Sequence, residues 1–105
     1  MSRMDVQRDA EPQLVATVAL YPTADGGRRE PMMPGFLFPV TLGDTTPLQV
    51  WDALPLLRDD PFAPGETRRI GFVFLAGEEA ATELRHAGKF YLWDGRFIGE
   101  AIVEA

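Results

Sequence analysis

The chain has 105 residues, 46% of them hydrophobic and 25% charged, the size and composition of one ordinary globular domain with a single core. It contains no cysteine, which excludes disulfides, thiolate metal centres and cysteine nucleophiles. Ten basic residues against sixteen acidic ones leave a net charge of −6, and such a surface repels phosphate backbones unless its cations cluster.

The first thirteen residues, MSRMDVQRDAEPQ, are polar and alternate in charge, and they read as a flexible N-terminal tail ahead of a single domain over 14–105. They hold no apolar stretch of signal-peptide type, and the apolar runs elsewhere are only a few residues long. The expected location is cytoplasmic, without membrane contact.

Nine prolines and ten glycines, all but Pro12 beyond residue 14, cut the chain into short pieces suited to strands. LVATVALY (14–21) alternates, with Leu14, Ala16, Val18 and Leu20 on one face. GFLFPVTL (35–42) sets Phe36, Phe38, Val40 and Leu42 against Leu37, Pro39 and Thr41. Pro39 cannot donate to a ladder, so this strand is an edge or carries a bulge there. PLQVWDAL (47–54) is a third strand, with Leu48 and Val50 opposite Trp51, and TRRIGFVFL (67–75) a fourth, with Ile70, Phe72 and Phe74 inward and Arg68 at the rim. EEAATELRHA (78–87) breaks the pattern. Acids lead it, Arg85 and His86 close it, and Gly77 and Gly88 flank it, which predicts a short helix burying Ala80, Ala81 and Leu84. KFYLWD (89–94) and RFIGEAIVE (96–104) then flank Asp94-Gly95, the strongest hairpin signal in the chain.

The stretch DGGRREPMMPGF (25–36) carries two readings. Asp-Gly-Gly is ordinary turn chemistry, with a positive φ that glycine alone adopts without strain. The same residues, with Arg28 and Arg29, could form a backbone nest for an anion. Met32 and Met33 are either adaptable contact surface or packing over an open barrel end.

Together, VATVALYPTADGGRREPMMPGF and GKFYLWDGRFIGEAIVEA resemble the third, C-terminal β-barrel domain of elongation factor Tu and related translation factors. The matching positions are Gly26, Gly27, Arg28, Pro31, Gly35 and Phe36 at the start, and Phe90, Gly95, Arg96, Gly99, Ile102 and Val103 at the end. FAPGE (62–66) is similar to the family's Pro-Gly-acid turn. The resemblance implies a small antiparallel six-stranded barrel standing alone, all-β apart from one short helix. In the family this barrel helps clamp transfer RNA and contacts partner proteins. Arg28 matches the family's arginine beside the RNA backbone, and Arg29 replaces a histidine. Trp93 stands where the family has an RNA-contacting glutamate, Leu37 replaces an arginine, and Gly77 with Glu78-Glu79 replaces a lysine. The RNA-facing surface is thus partly neutral or acidic.

The residues announce no catalytic site. No Gly-x-x-x-x-Gly-Lys-Ser/Thr loop occurs, Ser2 is the only serine, and His86 is the only histidine, so neither a cofactor nor a metal is expected. Asp59-Asp60 reads as a solvated turn, and Asp94 is explained by its hairpin without pairing to Glu100. Trp93, Trp51 and Tyr91 form an outward aromatic surface or else pack against a covering element. The leading expectation is a non-catalytic protein-binding module, with Arg28, Arg29, Met32, Met33, Trp93, Gly95 and Arg96 as contact residues. The alternative is an RNA-facing module. The sparsely charged last strand leaves homodimerisation through a sheet edge open beside a monomer.

Overall fold

A computed structural model describes residues 2–44 and 49–104. The alternation in the sequence becomes six strands: β1 (Leu14–Leu20), β2 (Phe38–Thr41), β3 (Val50–Leu56), β4 (Thr67–Phe74), β5 (Lys89–Trp93) and β6 (Phe97–Val103). They close into an antiparallel barrel in the order β1-β4-β3-β2-β5-β6, and β6 returns to β1. Pro47 and Leu48 of the expected third strand lie outside the described residues.

Inward positions follow the period of two. Leu14, Ala16, Val18 and Leu20 of β1, Phe38 and Val40 of β2, Ile70, Phe72 and Phe74 of β4, and Phe90 and Leu92 of β5 build the core. Phe72 meets Phe90 edge-on across the interior, with centroids 5.6 Å apart at 79°. The helix α2 (Glu78–Ala87) crosses the end of the barrel between β4 and β5 and inserts Ala80, Ala81 and Leu84. Its acids lie in the first turn and Arg85 and His86 in the last, as the helix dipole favours.

Pro39 sits where β2 has one neighbour: β3 pairs from Phe38 onward, whereas β5 joins only at Val40. That local edge tolerates the missing donor. β6, by contrast, is paired on both sides, so the sheet-edge route to a homodimer expected from its low charge does not exist in the closed barrel.

The N-terminal segment departs from the expected tail. Arg3–Asp9 form a helix, α1, capped by the Ser2 hydroxyl on the Asp5 amide. It lies on the outer face of β3, where Leu54 and Leu56 are buried although they point away from the barrel core. The buried amide of Gln7 donates to Asp59 Oδ1 at 2.5 Å and accepts from the Asp59 amide at 2.9 Å. Arg8 Nε reaches Asp59 Oδ2 at 2.7 Å, and Arg58 donates to the carbonyls of Arg8 and Ala10. Asp59 sits in an exposed turn, as the sequence predicts, and from there it also anchors α1. Arg58 and Asp59 both adopt positive φ, 55° and 65°, to present these groups.

Topology decides what lies at the other end. Alternating strand directions put the β1–β2, β3–β4 and β5–β6 connections at one end of the barrel. On the closed circle β1 and β2 are separated by two strands either way, so residues 21–37 must run across that end. There Met32 exchanges backbone hydrogen bonds with Phe62 of the β3–β4 connection, at 2.8 and 2.9 Å, and both side chains join the core. Arg68 holds the facing loop through the carbonyls of Asp60 and Pro61, with Glu66 as its ion partner at 2.9 Å.

Candidate functional site

The crossing segment begins with a short 3-10 turn, Thr23–Asp25, after which Gly26 takes φ +92°. Gly27 does not need positive φ. A Cβ there would collide with the Tyr21 carbonyl group, whose carbon would lie 2.7 Å away. The amide of Gly26 donates to Thr23 O and that of Gly27 to Pro22 O, so both N–H groups are already paired. The glycine pair is a turn; the anion nest does not form.

The turn aims Arg28 across the barrel end. Its Nη1 lies 2.6 Å from Asp94 Oδ2 in the β5–β6 turn, and its guanidinium stacks 4.8 Å above the Phe36 ring. Only 19% of the Arg28 side chain remains exposed. The β5–β6 connection takes in Asp94, Gly95 and Arg96, since Trp93 pairs directly with Phe97. Gly95 supplies the positive φ, +74°, and the Asp94 amide donates to the Arg96 carbonyl at 2.8 Å.

Between the crossing segment and this turn lies an open cleft of about 300 Å³, lined by Arg28, Arg29, Glu30, Asp94, Arg96 and Ile98. Its two walls are the two stretches that the sequence nominates, brought together from opposite ends of the chain. Three arginines line the cleft with two carboxylates, and Ile98, a core residue only 1% exposed, backs it. Elsewhere cations are held internally: Arg8, Arg68, Arg69 and Lys89 in ion pairs, Arg58 and Arg85 on backbone carbonyls. Among the described residues Arg29, Arg96 and Arg3 alone have neither an ion pair nor a side-chain hydrogen bond, and two of these three line the cleft.

The remaining nominated residues divide. Met33 is 56% exposed, but Met32 is wholly buried and belongs to the core, which corrects its reading as contact surface. Trp93 is half-buried on the outer wall of β5, edge-on to Phe97 at 4.9 Å, and Tyr91 meets the same ring at 5.8 Å. These aromatics form a band running from the cleft turn along the β5–β6 hairpin. Trp51 packs against the core. Glu30 and Asp94 fall within the two nominated stretches without being singled out as contact residues, and Ile98 was not nominated; the Arg28–Asp94 pair spans 66 positions and leaves no local signal.

The carboxylates considered for acid–base work are held by cations. Asp94 pairs with Arg28 and Glu100 with Lys89 at 3.4 Å. Asp59 is pushed below the usual aspartate range by hydrogen bonds from Arg8 and then Gln7, and Glu66 is lowered by Arg68. Among the described residues no three of His, Asp and Glu converge into a metal-binding group, and no helix is long and apolar enough to cross a membrane. No protein-family model matches the chain, and no curated protein matches it either.

Proposed function

We propose that this barrel is a non-catalytic binding module for a protein partner, docking at the end where residues 26–36 meet the Asp94–Arg96 turn. The observation that carries the reading is the cleft itself. It brings together Arg29 and Arg96, which have no ion pair among the described residues, with the half-buried Trp93–Phe97 pair flanking its turn and the exposed Met33 in the same crossing segment. Aromatic and arginine side chains around a shallow depression are what protein interfaces use as anchors.

A second reading, an RNA-facing module like the barrel of the translation factors, draws on Arg29 and Arg96, which are positioned to meet phosphates. The net charge of −6 weighs against it. Capture from native lysate, with and without ribonuclease, separates the two. The expected result is a protein partner that survives ribonuclease and is lost with Trp93→Ala combined with Met33→Ala. A transfer-RNA signal abolished by ribonuclease and by Arg29→Ala/Arg96→Ala would instead establish the RNA reading.

A further inference from the structure

The distribution of the cations over the whole molecule carries an inference about what the cleft takes. This rests on the binding-module reading and specifies its partner. Seven of the ten basic side chains are engaged within the protein, and the free Arg29 and Arg96 stand on opposite walls of one cleft. Arg28, though it lines the same cleft, is neutralised by Asp94 and clamped on Phe36. Its role is to hold the walls together. We infer that the cleft binds a short acidic segment of a protein partner, with carboxylates on Arg29 and Arg96 and a neighbouring apolar side chain against the half-buried Trp93–Phe97 pair.

Charge complementarity selects this occupant. A guanidinium presents paired N–H donors that match a carboxylate in bidentate fashion, and among the described residues neither Arg29 nor Arg96 forms an ion pair. The two cations are not a continuous basic track. Glu30 and Asp94 line the same cleft, so an anion with charge at every step meets repulsion there. A polyanion that extends further also meets the acidic remainder of a protein of net charge −6. A short segment, its carboxylates spaced by apolar residues, keeps its charges within the roughly 8 Å over which the local arginines dominate in physiological salt.

Fluorescence anisotropy with defined probes tests this on the full chain. The probes are a glutamate-rich peptide carrying one leucine, its glutamine counterpart, and a single-stranded oligouridylate. The glutamate peptide is expected to bind, more weakly as salt rises, and the glutamine peptide to bind at least about tenfold more weakly. Arg29→Glu/Arg96→Glu should lower its affinity by about tenfold or more, while Arg3→Glu, at the third free cation, leaves it unchanged. Binding of both peptides alike, indifference to Arg29→Glu/Arg96→Glu, no peptide binding, or tighter binding of oligouridylate would each overturn the inference. The broader reading fails differently. A partner captured from lysate that is lost with Trp93→Ala/Met33→Ala but kept by Arg29→Glu/Arg96→Glu would leave the docking surface standing and remove its acidic specificity.

Discussion

Adjacent residues of one type have opposite jobs in this protein, and burial tells them apart. Gly26 is held by its dihedral angle and Gly27 by the space around it, since nothing lies within 4 Å of a Cβ at Gly26. Gly26→Asn, which tolerates the left-handed region, should therefore change stability little, whereas Gly27→Ala should lower it by about 1–3 kcal/mol, read from urea midpoints. Arg28 and Arg29 divide similarly. Arg28→Ala removes the pair with Asp94 and the stacking on Phe36, an expected loss of about 1–2 kcal/mol. Arg29→Ala should stay within about 0.5 kcal/mol, as an exposed and unpaired side chain does. Equal losses in the two variants would show that Arg29 also has a structural partner.

At the scale of elements, α1 is the piece held on by polar contacts. Asp59 receives Arg8 and Gln7, and these hydrogen bonds depress its pKa. A carboxylate depressed by folding stabilises the folded arrangement above its unfolded pKa, about 4, and that contribution is lost as pH falls through the lower folded value. The helix should accordingly loosen below about pH 4. The amides of Arg58 and Asp59, which donate to Gln7, report this through hydrogen exchange. Asp59→Asn should expose them at neutral pH, and the difference from the parent protein should vanish in acid. An acid-insensitive difference would mean that the apolar cover over Leu54 and Leu56 alone retains the helix.

Across the whole molecule, the closed barrel makes one core of residues far apart in sequence. Phe72 of β4 and Phe90 of β5 pack against each other from strands that are not neighbours in the sheet. Phe72→Ala should cost about 3–5 kcal/mol and act on the entire domain. Circular dichroism and tryptophan fluorescence should then give coincident unfolding curves, because Trp51 and Trp93 lie on walls that share this core. Separated curves would instead indicate that the β5–β6 hairpin unfolds independently.

The sequence by itself determined the strands, their inward faces and α2, because side-chain alternation and helical capping are properties of the local chain. It was silent on α1, whose few apolar residues form no convincing stripe and whose buried Gln7 makes sense only beside Asp59, 52 positions away. It could not separate Met32 from Met33, since a bridge to Phe62 decides which one turns inward. Barrel closure decided the rest: it forces residues 21–37 across the end, sets Arg28 against Asp94, and leaves Arg29 and Arg96 lining one cleft without an ion pair among the described residues. Such long-range ion pairing depends on which strands become neighbours, and no local pattern in the chain encodes that.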